Sequence, residues 1–397
     1  MTQKTTMPTS LENGAAWTDF CDRMKALGQR ILEDDFPQDE QTRAEGFRHL
    51  VRMMNYATQW YVDFHDPEFP RFHRYDDDVI KWGGPNTDNH YLRAKIDPGS
   101  SYRITADVAG LRQLIISTPE GEMQFGQMQV FEERSLDDLE VGSDHELEII
   151  LGGEARPGNW IPLHPQADHV LIRLYLSDWE QDAAPAFHIT KIGNEGLAPP
   201  PPSTQAVARG LDEAAHWAEV SVVFWKDYMV GVKDRGPANV LSPPYTPPGG
   251  SAEIAYGGGW FELGPEEALV VEFEEPRARY WSFQLYAPPF FESLDMANRS
   301  VSLNGEQAET DSDGKVRLVV SASDPGVANW LDTEGRAEGM LSYRWIWSKT
   351  MPVPVARRIN LAEVDVAVPA TTRRFTTEER RAVLARRAAA VTRRFRR

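Results

Sequence analysis

The sequence predicts a mainly β protein with a helical start, two sandwich-like β regions and a helical tail, and three observations carry that expectation. Two blocks, roughly residues 89–176 and 260–347, break into short runs of alternating polar and apolar residues bounded by Pro, Gly, Asp and Ser, as half-buried antiparallel strands do. Helical spacing of apolar residues occurs before the first block, between the two, and after the second. Four consecutive prolines, Pro199 to Pro202, separate the halves, because a helix or central strand cannot lose so many backbone donors.

The elements follow in order. Residues 1–75 are expected to be a helical segment. Trp17, Phe20, Cys21, Met24, Leu27 and Ile31 recur at helical spacing, and Phe47, Leu50, Met54, Ala57, Tyr61 and Phe64 repeat it beyond Pro37. Cys21 falls on the apolar stripe and reads as a buried structural thiol. Residues 76–195 hold seven short runs, among them HYLRAKI, SYRITADV, HELEIIL and HVLIRLYL, which suit a sandwich or barrel. Residues 196–210 read as a Pro-rich linker.

Residues 211–370 open with a helix marked by Leu211, Ala214, Trp217, Ala218, Phe224, Trp225 and Tyr228, then give a second β region. Its strands are expected around Trp260, 268–273, 280–286, 316–320 and 340–347, so the two β regions are candidates for distant structural duplicates without a visible sequence repeat. In the tail, residues 371–397, Thr376 and Glu379 have capping-box spacing. Leu384, Ala388, Val391 and Phe395 line one side of the resulting helix and arginines the other. Such a helix docks on the acidic body, reaches a second subunit as the arm of a homo-oligomer, or meets an anionic partner.

Composition narrows the function. Of 397 residues, 41% are hydrophobic and 10% aromatic, including 12 Trp, which is enough apolar surface for two cores. The net charge of -18 conceals a still more acidic body, since residues 371–397 carry ten Arg against Glu378 and Glu379. An acidic body repels polyanions, so nucleic acid is not an expected partner. A single cysteine excludes an internal disulfide and suits a reducing compartment. No run approaches the ~18 apolar residues of a membrane span, and the N-terminus lacks a signal-peptide core, so a cytoplasmic location is expected.

The segments YWSFQLY, ESLDMANRSVSLNG, DPGVANWLDTEGR and GMLSYRW then carry a resemblance. Over roughly residues 255–355 the chain resembles the bacterial family called domain of unknown function 1214. The stretches GGPNTDNHYLRAKID, RPGNWIPL and LIRLYLSDWE are similar to segments accompanying that domain in two-domain members. The resemblance implies two jelly-roll-like antiparallel β-sandwich domains and no established activity.

Candidate site residues cluster in these segments. Asn329, Trp330 and Asp332 place an amide, an indole and a carboxylate within four residues, a set suited to a polyhydroxylated or carbonyl ligand and equally to a loop anchored on the core. Asp324 begins the turn Asp324-Pro325-Gly326 and either caps it or joins a site. Arg344 lies on the strand face opposite Tyr343, Trp345 and Trp347, where it pairs with Asp332 or Asp324 or presents its fork to an anion. Gln284 and Tyr286 share a face with Tyr280, and Asn298 completes the group.

In the first β region, Asp88, Asn89, Tyr91 and Arg93 form a parallel polar set after Gly83-Gly84-Pro85. Asp332, Asp324 and Arg344 are the candidates for acid, base or charge-stabilising roles in a hydrolase or lyase, and Asp332 with Glu292 or Asp295 is the best carboxylate pair. The partner expected is a polar small molecule or glycan, with non-catalytic binding or assembly as the alternative. His65 with His73 and His164 with His169 lack metal-site spacing, and no phosphate-loop or nicotinamide signature occurs, so neither metal nor cofactor is expected.

Overall fold

A computed structural model of the chain describes residues 11–248 and 250–395. The protein is mainly β with a helical N-terminal region and a C-terminal helix, as the sequence predicts. Helix α1 (Ala15–Arg30) and α2 (Glu40–Thr58) come first, the latter capped by Asp39, whose side chain accepts from the Thr42 amide at 2.9 Å. Their buried stripe is Phe20, Met24, Leu27, Ile31, Leu50, Met53, Tyr56 and Ala57. Cys21 is exposed, contrary to the expectation above, and Trp17 is 58% exposed. The apolar stripe of α1 is narrower than its sequence pattern, and both lie at its edge.

The first sandwich contains β1 (His73–Arg74), β2 (Asn89–Lys95), β3 (Tyr102–Asp107), β4 (Gln113–Glu122), β5 (Gln127–Ser135), β6 (Glu146–Leu151), β7 (Trp160–Ile161), β8 (His169–Tyr175) and β9 (Phe187–Lys191). One sheet has the order β1-β2-β8-β4-β5 and the other β7-β6-β3-β9. Alternation explains the packing: Val170, Ile172 and Leu174 of β8 enter the core with Leu92, Ile104 and Ile149. His169, Leu171, Arg173 and Tyr175 therefore point to the other face of the sheet.

Helix α3 (Thr204–Asp234) follows, 31 residues long. Ser203 caps it by accepting from the Ala206 amide at 3.0 Å, so helix replaces the second half of the expected linker. Leu211, Ala214, Trp217 and Val222 pack on α1 and α2, while Trp225, Met229 and Val232 pack on the second sandwich.

That sandwich contains β10 (Ile254–Glu262), β11 (Glu267–Glu274), β12 (Tyr280–Ala287), β13 (Glu292–Ser293), β14 (Ser302–Asn304), β15 (Lys315–Ser321), β16 (Trp330–Asp332), β17 (Glu338–Ile346) and β18 (Val355–Asn360). Its sheets run β10-β17-β12-β13, with β14 also on β12, and β16-β15-β11-β18. Aligning β10 with β2 and proceeding along the chain reproduces the first sandwich: β2-β8-β4-β5 matches β10-β17-β12-β13, and β7-β6-β3-β9 matches β16-β15-β11-β18. The short parallel pairs β6/β7 and β15/β16 coincide too. The two sandwiches are topological duplicates.

Short α4 (Val364–Ala367) precedes α5 (Thr377–Phe395), whose Thr376 and Glu379 form the expected reciprocal cap. Helix α5 packs on its own chain, burying Ala390, Val391 and Phe395. Its arginines are not all outward as the pattern suggested. Arg380 pairs with Asp324 at 2.9 Å, and Arg387 donates to the Met296 and Ser302 carbonyls at 3.1 and 3.3 Å. The Arg387 pKa is pulled down to about 10 by burial, with Asp88 opposing the fall.

Candidate functional site

The matching sheets of the two sandwiches turn their non-core faces toward each other, and a cavity of about 1200 Å³ lies between them. Helix α3 contributes Trp225, Tyr228 and Val232 to its wall, and the Pro- and Gly-rich loop after α3 contributes Tyr245. The segment Trp82 to Asp88 forms the seam at one side. Gly84 takes φ +67 there, and a Cβ on it would fall 2.2 Å from the Phe291 ring, so only glycine fits. The Tyr286 hydroxyl donates to the Gly84 carbonyl at 3.1 Å, Gln284 holds the Pro85 carbonyl at 2.8 Å, and Tyr280 donates to Asp88 at 2.5 Å.

The duplication places equivalent residues on both walls. In the first sandwich Tyr91 of β2 stands opposite Arg173 of β8, and in the second Tyr256 of β10 stands opposite Arg344 of β17. Strand for strand these are the same positions, and all four residues line the cavity. Arg344 is 6% exposed and donates through Nη2 to the Tyr286 hydroxyl at 2.7 Å and the Gly84 carbonyl at 3.1 Å, while its Nη1 has no hydrogen-bond partner. The Arg173 Nη1 is likewise buried without a partner.

Among the described residues neither guanidinium forms an ion pair with a carboxylate. Burial pulls the Arg344 pKa down, but the hydroxyls of Tyr286, Tyr256 and Tyr91 raise it overall. Burial pushes Tyr286 up to about 12 and Tyr91 well above its ordinary value, so these hydroxyls supply dipoles, not counter-charge, at neutral pH. Glu133 feels the Arg173 charge without forming an ion pair with it, whereas Arg344 has only hydroxyls and a carbonyl around it, and a buried charge without a partner is costly to keep.

Arg93, on the same strand as Tyr91, is a contrast. It pairs with Glu122 at 2.6 Å and stacks over Trp60 at 3.7 Å. Glu122 also accepts from the Trp217 indole, and these partners hold its pKa below the ordinary value despite burial. Nearby, Asp76 is 4% exposed and lines the cavity, with Oδ1 accepting from the Trp82 amide at 2.7 Å. Burial raises its pKa far above the carboxylate range, only partly opposed by that amide and by Arg93.

The residues singled out from sequence divide between this cavity and elsewhere. Asn89, Tyr91, Arg93 and Arg344 line it, while Tyr286, Gln284 and Asp88 build its seam. The set beginning at Asn329 lies apart. Asn329 accepts from the Glu309 amide and donates to the Glu309 and Arg317 carbonyls at 2.7 and 3.0 Å, which pins two loops. The Trp330 indole donates to Ser321, and its ring lies under Arg380 at 5.1 Å. Asp332 pairs with Arg299 at 2.9 Å and caps the Glu334 amide at 2.8 Å. Asp324 accepts from the Gly326 amide and holds Arg380. Asn298 donates to Asp295 in an exposed turn.

Arg344 therefore pairs with neither Asp332 nor Asp324. Glu292 belongs to His49 and Arg52 of α2, which separates it from Asp332. His73 sits among rings of Tyr56, Trp60 and Phe64, and burial lowers its pKa to about 3. Among the described residues no group of three His, Cys, Asp or Glu could hold a metal, and no helix is long and apolar enough to cross a membrane.

Sequence reasoning missed Arg173, Tyr256 and Asp76. A signal for Arg173 existed: within HVLIRLYL it is the cation on an otherwise apolar strand, two residues before Tyr175 on the same face. Asp76 was hidden inside the acidic run Asp76-Asp77-Asp78, which looks like a solvated loop.

The fold and cavity define a duplicated double-sandwich protein. Residues 262–350 match the family model described as Protein of unknown function (DUF1214). A crystal structure of an uncharacterized protein from Burkholderia cenocepacia is similar over 89% of this chain and 99% of its own, with 32% identity and a TM-score of 0.83. The VPA0106 protein from Vibrio parahaemolyticus aligns over 85% of this chain and 99% of its own, with 12% identity and a TM-score of 0.45. No curated protein matches the chain. The chain belongs to the family of proteins of unknown function DUF1214.

Proposed function

We propose that the protein binds a small organic anion with an apolar or aromatic body in the cavity between its sandwiches. The observation that carries this reading is Arg344, 6% exposed on the cavity wall, with neutral tyrosines in place of a carboxylate and Arg173 as its duplicate opposite. Guanidinium forks match carboxylate, sulfate or phosphate oxygens, and a water-poor site strengthens each such contact. Aromatic walls including Trp82, Trp225, Tyr228 and Tyr256 suit the body of the ligand. A neutral glycan would leave both arginines without counter-charge, so among sugars only acidic ones fit.

Hydrolase or lyase chemistry at Asp332 and Asp324 has no support from geometry, because ion pairs and turns occupy both carboxylates away from the cavity. Assembly through α5 has no observation in its favour either, since that helix spends its apolar face on its own chain.

The test is a thermal-shift screen of aromatic, terpenoid and uronic acids, each beside its uncharged amide. Ligands selective for the native state raise stability by RT ln(1 + [L]/Kd). The reading expects acids to stabilise the protein and their amides to fail. Equal shifts from acids and amides would reject it.

A further inference from the structure

The cavity has a second polar feature that an anion does not use. Asp76 is 4% exposed, and its Oδ1 accepts from the Trp82 amide at 2.7 Å. It forms no ion pair among the described residues, and it lines the same cavity as Arg173 and Arg344. Its neighbour Asp77 is engaged differently, accepting from the Val79 and Ile80 amides at 2.7 Å and facing Arg74 at 3.4 Å. The charged groups that bear most on Asp76 are Arg93 of β2, Asp77 beside it and Glu292 of β13.

Arg93 is already paired with Glu122, just as Asp77 is with Arg74 and Glu292 with Arg52, so none of these neighbours is an unpaired cation that would hold Asp76 ionised. A buried carboxyl in that setting keeps its proton, as its raised pKa also indicates. A carboxylic acid facing a cavity with its proton in place is a hydrogen-bond donor. Tyr75, next to Asp76 in the chain, and Tyr91, opposite Arg173, have ring centroids 5.5 Å apart and form a continuous aromatic stretch of the cavity wall.

Resting on the anion reading above, we infer that Asp76 donates a hydrogen bond to a neutral carbonyl oxygen of the ligand, which makes the preferred ligand an oxo acid. Arg173 and Arg344 take the acid group. Asp76 takes the keto or ester oxygen, and the aromatic wall lies against the carbon skeleton. Asp76 is thus a specificity-determining residue: a site built to donate discriminates strongly against an analogue that lacks the acceptor.

The experiment measures affinities, by calorimetry on the full chain, for a ladder of benzoyl-terminated alkanoic acids from benzoylformate to benzoylvalerate. Each is paired with the counterpart whose carbonyl is a methylene. At least one keto acid is expected to bind about tenfold more tightly than its counterpart, a gap that Asp76→Leu abolishes and Asp76→Asn, whose amide still donates, largely keeps. Keto and methylene acids that bind equally along the whole ladder would overturn the inference while leaving the anion reading intact. Acids that bind no better than their amides would defeat the anion reading and this inference with it. A ligand-independent check is the infrared difference between wild type and Asp76→Asn at neutral pH: a protonated carboxyl stretch is expected, and a carboxylate band in its place would overturn the proposal.

Discussion

The loop cluster around Asn329 to Asp332 and the cavity between the sandwiches contain the same kinds of side chain, yet they differ in how those side chains are paired. In the cluster the side chains of Asn329, Trp330 and Asp332 are all answered from within the chain. Asn329 uses its oxygen and its nitrogen on neighbouring backbone, Trp330 donates to Ser321, and Asp332 faces Arg299. In the cavity the accounts stay open. Arg344 and Arg173 each keep an unpartnered nitrogen, and Asp76 forms no ion pair among the described residues. Density of aromatics, amides and carboxylates therefore does not by itself mark a cavity, whereas the unanswered buried nitrogens of Arg173 and Arg344 line one.

The comparison breaks most easily where its structural side is strongest. Trp330→Ala removes a buried indole and is expected to cost about 3–5 kcal/mol of stability while leaving ligand affinity unchanged, read by urea unfolding and titration of the same variant. Loss of affinity at equal stability would move the site back to the cluster. Arg344→Met is expected to do the reverse. Affinity for organic acids falls about 100-fold, amide binding is unaffected, and stability holds or rises because an uncompensated buried cation has gone.

The pH dependence sharpens the contrast. The folded-state pKa of Asp76 lies above its unfolded value, so the folded protein binds the extra proton between the two. The contribution of Asp76 to stability is then fully present below the ordinary carboxylate range and is lost as pH rises toward the folded pKa. Asp76→Asn removes that loss. Relative to wild type the variant is expected to gain about 1.4 kcal/mol per pH unit through the window and to lose its advantage near pH 4, as read from unfolding at a series of pH values. A difference independent of pH would show Asp76 ionised in the fold. The smallest effect is expected from Asp332→Asn, about 1 kcal/mol of stability from a weakened pairing with half-exposed Arg299, with ligand binding untouched.

Much of the fold was legible because alternation is a local signal. Trp281 and Phe283 face the core while Tyr280, Gln284 and Tyr286 face the seam, as the period of two requires. The duplication was only suspected, since it resides in strand order, which pairs residues far apart in sequence and leaves no repeated motif. For the same reason the site was half legible. Arg344, Tyr91, Arg93 and Asn89 could be named from their strands, but the pairing of Tyr91 with Arg173 depends on strand order, and sharing one cavity with Arg344 depends on two sandwiches docking face to face. Cys21 failed for a different reason, because a helical stripe read from spacing says which residues share a face but not how much of that face a neighbour covers.

The most direct measurement is a crystal structure of the protein with the tightest acid from the screen. Its acid group is expected between Arg173 and Arg344, within hydrogen-bond distance of both guanidiniums, and its body against Tyr91 and Tyr256. An acid seated against Asn329, Trp330 and Arg299, with the cavity holding none of it, would show that the arginines of the cavity are not the anion site.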